Sequence, residues 1–406
     1  NVFGLLLLIT PTFYIARDYY YQIRIERSDQ ITLNDVDDSS DGLGADIYYI
    51  ILDGYGRSDI LEELYDYDNS EFIGYLRSKG FYVAENSRSN YNQTALSLAS
   101  SLNMDYVNYF TEIYGAESKE RYELAQEIKN NAVRDLLKVH GYQFISFESG
   151  YERTEIRFAD HYWSASADVI PQGTAAWTFN AFESLLLEST VFRALFDLNL
   201  LLRETFRQVA INPEYQAHRD RVFYTLARLD DVTEMPGNYF VFAHILSPHP
   251  PFVFNQDGEA LNPDNAYRLA DGDFYLGTKD EYINGYRDQV KFINAQIESV
   301  IERILSKSDQ PPVIILQSDH GPGAYLVWES AEESNLKERL GILNAYYLPG
   351  DGDDWLYDSI TPVNTFRVLM NAYFGGNYEL LPDESYFSPW LRPYDFTRVT
   401  DMIEKN

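Results

Sequence analysis

Short apolar runs recur along the chain, and each stops abruptly at polar or glycine-containing residues. The run 313–316 (Val-Ile-Ile-Leu) is unbroken and largely β-branched, as expected of a strand buried on both faces of a parallel sheet. The runs 47–52 and 239–243 have the same character, and 81–84, 142–147 and 342–348 read as further strands. Helical patterns lie between them, at 58–65, 70–79 with Gly80 as a stop, from Ala95 onward, 117–139 with Gly141 as a stop, and 361–373. In 286–304 the apolar positions Val290, Ile293, Ile297, Ile301 and Ile304 follow helical spacing. This alternation predicts an α/β fold, a doubly wound and mostly parallel sheet flanked by helices. Sheets of that kind open their binding crevice beyond the carboxyl ends of the strands.

The ends of the chain are patterned differently. Residues 2–16 are mostly apolar but fewer than the roughly 20 a bilayer crossing needs. We read 1–28 as the end of a transmembrane helix and its juxtamembrane stretch; a cleaved signal core or a buried helix are the alternatives. Tyr19, Tyr20 and Tyr21 would form an interfacial belt, whereas Arg17, Arg24 and Arg27 lean against an outward-facing body. Residues 29–45 read as an acidic linker, 46–376 as one large domain with a helical insertion at about 178–231, and 377–406 as a tail without clear period. Within the insertion 182–209 is rich in Leu and Phe, but Glu188, Arg193, Asp197 and Arg203 argue against a bilayer span.

Composition removes several function classes. The 406 residues carry a formal charge of −31, which excludes a cationic nucleic-acid footprint and charge-driven docking of the body on anionic lipid. Cysteine is absent, so disulfides and thiolate metal sites are excluded; a bacterial extracytoplasmic protein fits this. The 34 tyrosines suit both core positions and sugar-binding surfaces. Nothing implies an obligate protein partner.

Candidate chemistry sits at the ends of the apolar runs. The first strand ends in Asp53-Gly54-Tyr55-Gly56-Arg57, the third run leads to His244 and to His249-Pro250-Pro251-Phe252, and the strand at 313–316 ends in Ser318-Asp319-His320-Gly321. The loop Asn92-Gln93-Thr94 opens a helix, whose free N–H groups favour an anion. Each has a plain reading: a polar turn for Asp319-His320, a helix cap for Asn92 or Thr94, ordinary loop histidines for His244 and His249. Gathered at one sheet edge, they would instead form a site. Asp53, Asp319, His320 and the Thr94 oxygen make a mostly oxygen shell for Mn²⁺, Mg²⁺ or Zn²⁺. Thr94 would then be a nucleophile toward a tetrahedral ester. His244, His249, Asn92 and Arg57 are candidates for contact with substrate, and His249 for leaving-group protonation. A second metal lacks a convincing third ligand beside His244 and His249.

The order Ile-Leu-Asp-Gly after a first strand, Gln-Thr-Ala-x-Ser at a helix start, His-Pro-Pro-Phe, and a late Ser-Asp-His-Gly resembles the alkaline phosphatase/sulfatase superfamily. Within it the chain is most similar to bacterial membrane-anchored sulfatase-like proteins, the group with lipoteichoic acid synthase and phosphoethanolamine transferases. The resemblance spans about 46–376. It implies one metal held by Asp53, Thr94, Asp319 and His320, with Mn²⁺ first among the candidates, Thr94 as nucleophile, and substrate contact by His249. It also implies anchoring in the bacterial cytoplasmic membrane with the catalytic domain outside, and a phospholipid or envelope-glycan phosphate as substrate. True sulfatases make formylglycine in a Cys/Ser-x-Pro-x-Arg stretch; none surrounds Thr94. Phosphoryl transfer is therefore expected over sulfate-ester hydrolysis. The alternatives are a phosphatase or sulfatase on a soluble ester, or a non-catalytic glycan-binding envelope protein, although a binding module has no need of the Thr94 hydroxyl.

Overall fold

Side chains along the first strand, β1 (Ile47–Leu52), alternate between two apolar layers. Ile47, Tyr49 and Ile51 join one core cluster; Tyr48, Ile50 and Leu52 join the other. All six are fully buried, each apolar side chain contributing roughly 1.5–3 kcal/mol. The computed structural model describes residues 43–165, 213–261, 263 and 265–403. The expected membrane segment 1–28, all but the last residues of the acidic linker, and the apolar stretch 182–209 lie outside the described residues. Among those described, no helix is long and apolar enough to cross a membrane.

The chain continues through α1 (Ser58–Tyr65), α2 (Ser70–Ser78), β2 (Tyr82–Val83), α3 (Thr94–Asn103), α4 (Phe110–Tyr114), α5 (Tyr122–Lys129), α6 (Ala132–Val139), β3 (Gln143–Phe147) and β4 (His161–Trp163). After the undescribed segment come α7 (Pro213–Arg228), β5 (Tyr239–Ile245), α8 (Lys279–Lys307), β6 (Val313–Gln317), α9 (Leu336–Leu340), β7 (Asn344–Tyr347), α10 (Pro362–Tyr373), β8 (Tyr386–Phe387) and β9 (Thr397–Arg398). Seven strands form one sheet in the order β2-β7-β6-β1-β5-β3-β4. Its pairings are parallel except those of β7, which runs against β6 and β2. The mixed α/β fold with a mostly parallel, helix-flanked sheet matches the sequence expectation: α3 and α10 cover one face, α8 the other.

Three elements differ from the pattern read in the sequence. The helix expected over 117–139 is two, because Asn131 caps α6 by accepting the Arg134 N–H and so ends α5 before it. His244 is not past its strand but inside β5, whose hydrogen-bonded register continues to Ile245. The stretch from 377 has structure of its own: β8 pairs with β9, and Tyr394 and Val399 are buried.

Candidate active site

Strand register brings together residues far apart in sequence. Ile51 of β1 pairs with Gln317 of β6, so Asp53 and Asp319 each lie two residues beyond the same rung. On the other side Ile51 pairs with His244 of β5. Ser318 ties the strand ends: its hydroxyl lies 2.8 Å from the Leu52 carbonyl and accepts the Tyr55 N–H at 2.7 Å. Gly54, with φ of +74°, turns its N–H onto Asp319 Oδ1 at 3.1 Å, a conformation costly for other residues.

Asp53, Asp319 and His320 are buried, and their donor atoms all lie within 4.8 Å of one another. His320 Nε2 is 3.3 Å from Asp319 Oδ2 and 3.6 Å from Asp53 Oδ1. His320 Nδ1 lies 2.9 Å from the Gly321 carbonyl. A carbonyl only accepts, so Nδ1 carries the proton and Nε2 presents a lone pair. Burial, with help from Arg339, lowers the His320 pKa. Burial works against ionisation of Asp53, but His249, His244 and His320 outweigh it and hold the carboxyl below its usual range.

Thr94 is the first residue of α3, and its hydroxyl lies 3.0 Å from His320 Nε2. The capping position belongs to Gln93, and no side chain caps the helix. The first intrahelical bond runs from Ser97 N–H to the Gln93 carbonyl, so the helix leaves the N–H groups before Ser97 unused.

Asp53 Oδ1 and Asp319 Oδ2 are buried without a hydrogen-bond partner among the described residues. Two bare carboxylate oxygens facing an imidazole lone pair are all acceptors, an arrangement that is costly by itself. A divalent cation satisfies all of them, and the oxygen-rich set with one imidazole fits such an ion.

His244 in β5 and His249 in the loop after it take different positions. His249 lines the cleft, its Nδ1 bonded to the Pro250 carbonyl and its Nε2 3.9 Å from Asp271 Oδ2. His244 is braced between Thr154 Oγ1 at 2.9 Å and Asp53 Oδ2 at 3.2 Å. His244 does not line the cleft, and its Nε2 faces Asp53, so it is placed to steady that carboxylate.

Arg57 and Asn92 do not line the cleft and are bound to other parts of the protein. Arg57 binds both Asp59 oxygens, at 2.7 and 2.9 Å, and the Ser87 carbonyl. Asn92 is fully buried, donating to the Ser388 carbonyl and accepting the Ser388 N–H. It clamps the C-terminal segment under the loop that leads into α3. Asn92→Ala would orphan the buried Ser388 N–H and should lower unfolding free energy by about 1–3 kcal/mol. Urea titration reads this directly, and an unchanged midpoint would contradict the clamp.

An open cleft lies over these groups, lined by Asp53, Thr94, His249 and His320 among others. Its walls include residues that sequence reasoning missed: Asp271, Arg339, Trp328 and Trp390. Asp271 accepts Tyr282 Oη at 2.6 Å on Oδ1 and Arg339 Nη1 at 2.6 Å on Oδ2. Burial disfavours its charge, but Arg339, His249, His320 and Tyr282 hold its pKa below the usual range. Neighbouring Glu338 is pushed up to about 8 by burial.

The sequence pattern of the sulfatase family matches residues 45–367. Curated proteins include none that matches. Among solved structures, the C-terminal periplasmic domain of EcEptC from Escherichia coli in complex with Zn aligns at TM-score 0.53 and 10% identity, over 89% of this chain and 94% of that one. Lipooligosaccharide phosphoethanolamine transferase A from Neisseria meningitidis (soluble domain) gives 0.49 and 11%, over 81% and 88%. The lipoteichoic acid synthase LtaP from Listeria monocytogenes gives 0.47 and 10%, over 91% and 90%. At such identities the likeness to EcEptC speaks for the fold, and the match across most of the chain places this protein in the sulfatase family, within the alkaline phosphatase/sulfatase superfamily.

Proposed function

We propose that the chain is a metal-dependent phosphotransferase or phosphodiesterase that uses Thr94 as nucleophile and passes through a phosphothreonine. The observation that carries this reading is the Thr94 hydroxyl 3.0 Å from His320 Nε2, beside the unpaired oxygens of Asp53 and Asp319. A divalent cation held by Asp53, Asp319, His320 and Thr94 Oγ1, with Mn²⁺ the first candidate and Mg²⁺ or Zn²⁺ next, would ease deprotonation of the hydroxyl and offset phosphoryl charge. The N-terminus of α3 adds a favourable field for an anion. Attack forms the Thr94 Oγ–P bond, the hydroxyl proton passing to solvent, and breaks the bond to the leaving oxygen, which takes a proton from His249. Water or an acceptor alcohol then displaces the Thr94 oxygen. The lack of a formylglycine stretch around Thr94 favours phosphoryl over sulfuryl chemistry.

The substrate we assign is a lipid- or glycan-linked phosphate at the bacterial envelope, with the domain outside the cytoplasmic membrane. The absence of cysteine, the apolar run at 2–16 and the likeness to a domain described as periplasmic support this placement. Incubation with envelope lipids and tryptic mass spectrometry should find a phosphate-bearing adduct on the Thr94 peptide. An adduct on another residue, with Thr94 unmodified at every time point, would overturn the assignment.

A further inference from the structure

We infer that Arg339 is the anion receptor of this cleft, its guanidinium standing where a second cation would and gripping the non-bridging oxygens of a phosphodiester. The inference rests on the reading proposed above and deepens it.

Arg339 is only 1% exposed, yet it lines the cleft with Thr94, His249 and His320. Its Nε donates to the Asn92 carbonyl at 2.9 Å; its Nη1 donates to Asp271 Oδ2 at 2.6 Å and to the Gly321 carbonyl at 3.0 Å. A guanidinium has five N–H groups, and among the described residues Nη2 has no hydrogen-bond partner. Nη2 is not sealed off inside the protein and the side chain lines the cleft, so this donor end is open to a ligand. The fork is also aimed in advance. Its Cζ lies 5.0 Å from the Trp328 ring centroid, and its two backbone acceptors flank the chemistry: Asn92 precedes Thr94 by two residues and Gly321 follows His320 directly. Its position is thus fixed relative to both nucleophile and ligand cluster, the preorganisation that makes an electrostatic contact effective.

The same bonds argue against a second metal ion. Beside His249 the available carboxylate is Asp271, and both its oxygens are taken, one by Tyr282 and one by Arg339. A divalent cation there would have to displace the guanidinium. The charge balance also selects the ligand. Asp271 offsets Arg339, and Glu338, with its pKa near 8, adds no full negative charge at neutral pH. A cation held by the cluster and a guanidinium already paired with one carboxylate would suit the monoanion of a diester better than the dianion of a monoester. A planar fork on phosphate is the contact arginine makes and lysine does not reproduce.

The test uses the full chain, inorganic phosphate as the binding probe, and bis(4-nitrophenyl) phosphate as substrate. Arg339→Gln should weaken the phosphate Kd by at least about 10-fold and lower kcat/KM by about 10–100-fold. In Arg339→Ala, millimolar guanidinium, far below denaturing levels, should restore part of the turnover; a merely structural arginine gives a lower Tm and no rescue. If the alanine variant does not fold, Arg339→Lys replaces it and should bind phosphate better than Arg339→Gln. Native phosphate affinity in Arg339→Gln, no rescue of a folded Arg339→Ala, equal binding by the lysine and glutamine variants, or no phosphate binding by the wild type would each overturn the inference. A wild type that binds phosphate through Arg339 but turns over no diester would sink the phosphotransfer reading and leave the receptor standing.

Discussion

Thr94→Ala should lower turnover of bis(4-nitrophenyl) phosphate by at least about 10⁴-fold while the protein stays folded. The magnitude follows from the role: removing the attacking atom leaves only binding and electrostatic stabilisation, which cannot form the covalent intermediate. The rival explanation for this threonine, a helix cap, makes the opposite forecast. A lost cap costs about 1 kcal/mol of stability and spares the chemistry. The capping position is Gln93, and the Thr94 hydroxyl reaches His320 Nε2. Alanine is the better helix former at this position, so the lost hydrogen bond of about 1 kcal/mol is partly offset. Thr94→Ser keeps a hydroxyl and should retain measurable turnover. Steady-state kinetics with a thermal melt on the same preparations gives the answer; an active Thr94→Ala protein would remove the nucleophile from the proposal.

What could be read in the sequence was whatever depends on local pattern and shared register. Unbroken apolar runs marked β1, β5 and β6, and their parallel pairing places Asp53 and Asp319 at one height because Ile51 faces Gln317. The residues that escaped are held by long-range contacts with no local signature. Asp271 sits in an aperiodic loop, and its meaning comes from Tyr282 and Arg339. Arg339 lies in the five-residue helix α9 between Glu338 and Leu340, where no local pattern marks it. Asn92 and Arg57 show the converse. A polar residue near a strand or helix end looks like a ligand contact, but Asn92 is spent on Ser388, 296 positions away, and Arg57 on Asp59. His244 was read as a loop residue because the apolar run ended at Ala243; the strand goes on, and the histidine is buried as a brace for Asp53.

Asp319→Asn should abolish stoichiometric metal binding, weakening affinity by about 100-fold or more, and with it turnover. Asparagine is close to isosteric and keeps a carbonyl oxygen for the Gly54 N–H, which Asp319 Oδ1 accepts at 3.1 Å. The change therefore removes charge and one oxygen ligand without dismantling the turn. Its thermal consequence distinguishes a metal centre from a structural acid pair. In the wild type, Asp53 Oδ1 and Asp319 Oδ2 are buried and unpaired, so a cation binding only the folded chain should raise its stability by about 2.7 kcal/mol at 100 times Kd. That is a Tm shift of several degrees for a domain of this size. Stripping the wild type with a chelator should lower Tm and stop turnover, and added Mn²⁺ should restore both. The stripped Asp319→Asn protein, relieved of one of two facing carboxylates, should melt no lower than the stripped wild type and should not respond to Mn²⁺. Elemental analysis fixes the stoichiometry. A variant that still carries one ion per chain, or a wild type whose melting ignores chelator and metal alike, would mean that these carboxylates are not holding a cation.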